Sequence, residues 1–171
     1  MSVKIFIDGK EGTTGLKIFE RFANRTDIEI LQIDEEKRKD AAERAKMINA
    51  SDFTFLCLPD AAAIESAELC TNPKTVIIDA STAHRTNLSW AYGFPELDKS
   101  FRQKIMSSNR IAVPGCYASG FVALGYPLVK SGIMPADYPV VIHAVSGYSG
   151  AGKRAIAQYE AKDRNPELDS P

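Results

Sequence analysis

The sequence predicts an α/β protein built on a doubly wound parallel sheet. Three observations carry that expectation. Short β-rich runs alternate strictly with helical patterns from the first residues onward. The first run, VKIFID over residues 3–8, is apolar and uninterrupted, as expected of a parallel strand covered on both faces. A glycine-rich turn, DGKEGTTG, joins that strand directly to a helix.

Residues 16–23 form the first expected helix, with Leu16, Phe19, Glu20 and Ala23 at helical spacing. Residues 28–33 read as a second strand. Residues 34–49 are rich in Ala, Glu, Lys and Arg, with apolar positions at Ala41, Ala45 and Ile48, and read as one largely exposed helix. A third strand over 53–58 ends at Pro59, a short helix covers 61–69, and a fourth strand covers 75–79. Right-handed crossovers bring the loops 9–15, 34–38, 59–60 and 81–85 to one edge of such a sheet, where ligands bind. Beyond Arg85 the pattern is irregular through Tyr92-Gly93-Phe94-Pro95-Glu96. A short strand at 111–113 then leads through Pro114-Gly115-Cys116 into a helix reaching Lys130. Residues 140–145 read as another strand, 146–152 as a Gly/Ser loop, and a helix is expected from Lys153. The last residues, from Asn165 to Pro171, are polar and proline-punctuated, with no closing strand or helix expected.

Composition narrows the function classes. The chain has 171 residues, 44% hydrophobic and 25% charged, as an ordinary globular protein has. Its 21 basic and 22 acidic residues nearly cancel, which argues against an electrostatic grip on nucleic acid or an anionic membrane. The start runs straight into strand one without a cationic, long-apolar or cleavage-site pattern, so no signal peptide is expected. No stretch approaches the roughly 18 apolar residues of a membrane span. Cys57, Cys70 and Cys116 are irregularly and widely spaced, which fits neither a disulfide framework nor a zinc site. A reduced, cytoplasmic protein without a metal is the expectation.

The turn after strand one carries the first functional signal. Gly9, Gly12 and Gly15 are spaced G-x-x-G-x-x-G, a variant of the dinucleotide fingerprint G-x-G-x-x-G. Glycine allows a tight turn and close approach to a pyrophosphate, while the following helix offers unpaired N–H groups. Thr13 and Thr14 could add hydroxyl donors or cap the helix. At the end of strand two, Asp34 could accept ribose hydroxyls; Lys37, Arg38 and Lys39 could instead hold a 2′-phosphate, or form a solvated helix face.

A second signal is Cys116, placed where a strand turns into a helix. Unpaired N–H groups and the positive end of the helix dipole favour a thiolate at that position. Cys57 lies inside an apolar run and reads as an inert buried thiol, and Cys70 has no evident activator. Asp79-Ala80-Ser81-Thr82-Ala83-His84-Arg85 ends strand four with hydroxyls and an arginine, a pairing suited to phosphate or carboxylate. Arg85 could equally pair with a nearby carboxylate. His84 beside it is a poor base that could help hold an anion, and His143 reads as a hydrogen-bonded core residue. The loop Ser146-Gly147-Tyr148-Ser149-Gly150-Ala151-Gly152-Lys153 should lie against a ligand or another backbone, but it lacks the P-loop pattern.

With DGKEGTTG, DASTAHR, YGFPELDK, VPGCYASG and SGYSGAGK in this order and spacing, the chain resembles the N-acetyl-gamma-glutamyl-phosphate reductases, particularly their shorter second type. The resemblance implies a Rossmann-type NADP-binding domain over residues 1–115. It also implies the beginning of an α+β catalytic domain over 116–171, related to aspartate-semialdehyde dehydrogenase. It implies cofactor contacts from Gly9, Lys10, Glu11, Gly12, Thr13, Thr14, Gly15, Arg38, Pro59, Ser146, Gly147, Ser149 and Gly150. Substrate contacts would come from Ser81, Arg85 and Tyr117, and Cys116 would be the nucleophile. The expected partners are a small acyl-phosphate substrate and further copies of the subunit, with no nucleic acid or membrane. Members of the family are longer, and their general acid/base histidine lies beyond Pro171, so nucleotide binding with little turnover is expected of these 171 residues. The alternatives are an aspartyl-phosphate enzyme, a nucleotide-binding fragment without catalysis, and a cysteine hydrolase pairing Cys116 with His143.

Overall fold

The computed structural model describes residues 2–10, 12–145 and 147–169. The chain divides into two compact units, Met1–Pro139 and Val140–Pro171.

In the first unit, β1 (Val3–Asp8), β2 (Ile28–Leu31), β3 (Phe53–Leu56), β4 (Val76–Asp79), β5 (Ala91–Tyr92) and β6 (Arg110–Ala112) form one sheet. Its order is β2-β1-β3-β4-β6-β5, and every pairing is parallel. The helices α1 (Thr13–Phe22), α2 (Ala41–Ala50), α3 (Asp60–Glu68), α4 (Lys99–Ser107) and α5 (Cys116–Lys130) alternate with the strands, except that β4 runs on to β5 with no helix between them. The expected doubly wound parallel sheet is therefore present. The strand order reverses between β1 and β3, which places a ligand crevice at their carboxyl ends.

Burial explains the apolar run Ile5-Phe6-Ile7 within β1, whose first two residues, Val3 and Lys4, are exposed. Ile5, Phe6 and Ile7 are all buried, because neighbours cover both faces of this central strand. Phe6, Leu56 and Ile77 pack with Ile48 of α2 and Ala63 of α3 into the main core, joined by Trp90 and Ala112. Burying each large side chain there contributes roughly 1.5–3 kcal/mol. Phe22 at the end of α1 meets Phe55 of β3, with ring centroids 5.7 Å apart.

Three expectations need correction. The single helix expected over 34–49 is two pieces, a 3-10 turn at Glu35–Lys37 and then α2. Asp40 divides them, because its carboxylate accepts from the N–H groups of Ala42 and Glu43 and so starts a new helix. Nor is α2 simply exposed, since Arg44 and Ile48 are buried. The stretch from Arg85 through Glu96, read as irregular, holds β5, and the residues after it, for which no element was expected, hold α4. Asp98 caps α4 through the Ser100 N–H, and Phe101 packs edge-on against Tyr126 of α5 at 5.5 Å. The cap followed by Phe101 and Ile105 at helical spacing was the available signal.

The second unit contains a 3-10 turn at Tyr148–Ala151, α6 (Lys153–Glu160) and a closing 3-10 turn at Pro166–Asp169, where no closing helix was expected. The strand expected at 140–145 is not formed: these residues pair with no strand, and Val141 is 99% exposed. Apolar β-branched composition favours a strand only where a neighbour supplies the ladder, and among the described residues none does. His143 is consequently exposed rather than a core residue.

Candidate functional site

The turn after β1 is folded tightly on itself. Gly9 has φ +87, and a Cβ there would lie 2.3 Å from the Cys57 carbonyl oxygen. The Gly12 N–H donates to the Gly9 carbonyl at 3.0 Å. A Cβ on Gly15 would lie 2.4 Å from that same carbonyl. Gly9 and Gly15 thus serve the turn's own packing. Gly12 is different: it is the N-cap of α1, with no side-chain cap, and a Cβ there would meet nothing closer than 3.4 Å. The first N–H groups of α1 therefore face outward without a side-chain acceptor. Thr13 and Thr14 begin the helix and do not cap it, so the capping role considered for them falls to Gly12. Lys10 lies over the Phe19 ring at 4.2 Å.

Beside this turn, at the ends of β1 and β2, is a cleft of about 560 Å³ whose walls include Gly9, Lys10, Phe19, Asp34, Arg38 and Lys39. Asp34, Arg38 and Lys39 all line this cleft, whereas Lys37, also considered for a 2′-phosphate, is not among its lining residues and lies 3.9 Å from Glu43. Arg38 lies 3.5 Å from Glu35, an exposed pair worth little in water. The walls fit the adenosine end of a dinucleotide, and the uncapped α1 fits its pyrophosphate. Pro59 is the exposed N-cap of α3, which also lacks a side-chain cap.

On the same edge, β6 leads through Pro114 and Gly115 to Cys116, the first residue of α5. The Cys116 thiol is exposed, as is Tyr117 beside it. Gly115 caps α5 without a side chain, and Ser119 Oγ donates to the Gly115 carbonyl at 2.8 Å. Arg85 braces this turn. Its Nε donates to the Val113 carbonyl at 2.9 Å and its Nη2 to the Ala80 carbonyl at 3.2 Å, joining the ends of β6 and β4. A Cβ on Gly115 would fall 2.6 Å from Arg85 Nη1, so glycine there admits the guanidinium.

Asp79 organises the loop that carries Arg85. It is fully buried and accepts from the Ser81 N–H at 2.9 Å, from Ser81 Oγ at 2.7 Å, and from His84 Nδ1 at 2.7 Å. His84 stacks on Trp90 with centroids 3.8 Å apart. The Ser81 hydroxyl hydrogen is committed to Asp79, and His84, weighed as an anion-binding residue, is a buried part of the scaffold.

Asp60 at the start of α3 joins this loop from the other side, accepting from the Thr82 N–H and hydroxyl. These bonds, with help from Arg85, hold its carboxyl below the ordinary 3.8. A depressed carboxyl stabilises the contact above its ordinary value and loses that contribution as pH falls through the lower one. The Thr82 amide shift in an NMR titration is thus expected to move with a midpoint below 3.8; a midpoint at or above it would contradict the bond.

Burial pushes the Cys57 thiol up to about 12, with the nearby charges of Asp8 and Asp79 adding to the effect. Near neutral pH a haloacetamide is expected to modify exposed Cys116 readily and Cys57 hardly at all. Peptide mapping that found Cys57 modified first would refute this.

Glu11 and Ser146 lie outside the described residues, as does the side chain of Ser149. In the second unit the Gly150 N–H donates to the Gly147 carbonyl at 2.9 Å, and the Tyr148 ring stacks on Tyr159 at 5.0 Å. Within this loop Tyr148–Ala151 is a short 3-10 turn.

Residues 4–105 match the semialdehyde dehydrogenase NAD binding domain, and residues 116–170 match the semialdehyde dehydrogenase dimerisation domain. The chain belongs to the semialdehyde dehydrogenase family. It is 54% identical, over 98% of its length and 54% of the relative's, to an N-acetyl-gamma-glutamyl-phosphate reductase of Chelativorans sp.. It is 51% identical, over 91% of its length and 50% of the relative's, to N-acetyl-gamma-glutamyl-phosphate reductase 2 of Pseudomonas putida. The chain spans about half the length of the curated relatives it matches. The fold is shared with aspartate semialdehyde dehydrogenase from Francisella tularensis, with TM-score 0.64 and 14% identity, over 97% of this chain and 53% of that one.

As a semialdehyde dehydrogenase family member, the first unit carries a nicotinamide-dinucleotide-binding domain, and the uncapped glycine turn and adjoining cleft fit that cofactor. The structure brings the 9–15 turn, Arg38, Pro59, Ser81, Arg85, Cys116 and Tyr117 to the carboxyl edge of one sheet. Sequence reasoning missed the buried partners beneath that edge, chiefly Asp79 as an acceptor and the Asp8–Arg44 ion pair. A charged residue at a strand's last position was the hint available: the partners of Asp79 lie within five residues of it, whereas Arg44 and Ser66 reach Asp8 from 36 and 58 residues away.

Proposed function

We propose that the protein is an NADP-dependent reductase that converts N-acetyl-gamma-glutamyl phosphate to N-acetylglutamate 5-semialdehyde through a thioester on Cys116. The observation that carries this reading is the exposed thiol at the start of α5, on the same sheet edge as the glycine turn. The relatives' printed names, at 51–54% identity, supply the substrate. In this reading residues 1–115 bind the nucleotide and 116–171 begin the catalytic domain.

The Cys116 sulfur attacks the acyl carbon, a C–S bond forms, and the C–O bond to phosphate breaks with its electron pair leaving on inorganic phosphate. When bound, a reduced nicotinamide would supply hydride to the thioester carbon. The C–S bond of Cys116 then breaks with its electron pair on sulfur, which releases the aldehyde and restores the thiolate. Arg85, with Nη1 outside its two carbonyl bonds, lies where it can meet the phosphate; Ser81 shapes that loop, and Tyr117 borders the acyl group. Gly9, Lys10, Gly12, Thr13, Thr14, Gly15 and Pro59 surround the cofactor, and Arg38 with Lys39 favours a 2′-phosphate. The dimerisation-domain match supports self-association. Among the described residues no helix is long and apolar enough to cross a membrane; with reduced cysteines, a cytoplasmic location is part of the proposal.

The test mixes protein with N-acetyl-gamma-glutamyl phosphate and measures intact mass, alongside NADPH absorbance with the semialdehyde, NADP and phosphate. Wild type is expected to gain the acyl group and Cys116→Ala to gain nothing. Acylation of both equally would overturn the reading.

A further inference from the structure

Directly beneath the glycine turn, β1 ends in Asp8, a carboxylate only 5% exposed. Its Oδ2 accepts from Arg44 Nε of α2 at 3.0 Å and from Ser66 Oγ of α3 at 2.5 Å. Arg44 is itself 6% exposed and Ser66 is fully buried. Arg44 also reaches the Ala62 carbonyl at 3.5 Å and Glu65 at 3.8 Å. Asp8 and Gly9 both border the cleft beside the turn. A buried carboxylate next to a pyrophosphate site is a like charge in a poorly screened place.

We propose that Arg44 is a positioning residue for the dinucleotide. It neutralises Asp8, so that the turn receives a diphosphate without a facing negative charge, and with Ser66 it holds the end of β1 that launches Gly9. A buried pair of this kind is weak support for stability alone, because removing two charges from water offsets their attraction. Its place under an anion-binding turn gives it a specific use. The inference rests on the dinucleotide reading of the 9–15 turn.

The test compares wild type, Arg44→Met, Arg44→Lys, Asp8→Asn and the double variant by titration with NADPH, ADP and adenosine. Failure of wild type to bind NADPH would remove the reading of the turn, and so is separate from failure of this inference. Given binding, Arg44→Met is expected to weaken NADPH and ADP by about tenfold or more. Adenosine, which has no phosphate, should change by less than about twofold. Arg44→Lys and the double variant should recover most of the NADPH affinity. Parallel losses for adenosine and NADPH, or no recovery in the double variant, would overturn the proposal. Should Arg44→Met not fold, Asp8→Asn decides alone: equal or tighter NADPH binding supports the inference, and weaker binding refutes it.

Discussion

Replacing Cys116 by alanine is expected to abolish acyl transfer to the protein, and with it whatever turnover wild type shows, while leaving NADPH affinity within about twofold. The size follows from what the sulfur does: without it no thioester forms, and the hydride has no activated acyl carbon to reduce. The selectivity follows from the fold. Cys116 sits on the β6–α5 turn, whereas the dinucleotide turn follows β1. Cys116→Ser should be nearly as inactive, because a hydroxyl is a weaker nucleophile and the oxygen ester that it forms is a poorer hydride acceptor. Single-turnover absorbance with fluorescence titration of NADPH measures both quantities. Residual turnover above about a tenth of wild type would reassign the nucleophile.

The second large effect is on stability. Gly9→Ala is expected to cost about 3–5 kcal/mol and to abolish dinucleotide binding at accessible concentrations. Its φ of +87 penalises any Cβ, and the atom 2.3 Å away is the backbone oxygen of Cys57. That oxygen cannot retreat cheaply, since the Cys57 N–H is bonded to the Asp8 carbonyl at 2.8 Å. Gly12→Ala is the control. It has φ −75 and 3.4 Å of clearance, so a loss under about 1 kcal/mol is expected. Urea unfolding of the two variants side by side gives the comparison, and equal losses would show that the turn relaxes freely.

Much of the fold was legible because it is written in local patterns. The run VKIFID, the glycine turn and the Pro114-Gly115-Cys116 junction gave β1 and α5 their observed bounds. Boundaries slipped where a side chain outside the periodic pattern intervened, as at Asp40. The strand expected at 140–145 failed for the opposite reason: its local composition is right, but a strand is stable only against a partner. α4 was passed over although Asp98, followed by Phe101 and Ile105 at helical spacing, marked it; what only the fold reveals is that Phe101 packs on Tyr126 of α5.

For the function, the sequence by itself determined which chemical groups are present and in what order: a glycine turn opening a helix, a hydroxyl-rich loop ending in Arg85, and a cysteine at a helix start. Local rules suffice for these, since turn geometry and helix ends depend on a few consecutive residues. Only the tertiary structure decided what those groups rest on. Asp79 is bonded to Ser81 and His84, Arg85 spans the ends of β4 and β6, and Arg44 reaches Asp8 from 36 residues away. Buried charges must find partners wherever the fold brings them, because no water is there to replace them. Those partnerships appear only once the sheet is assembled.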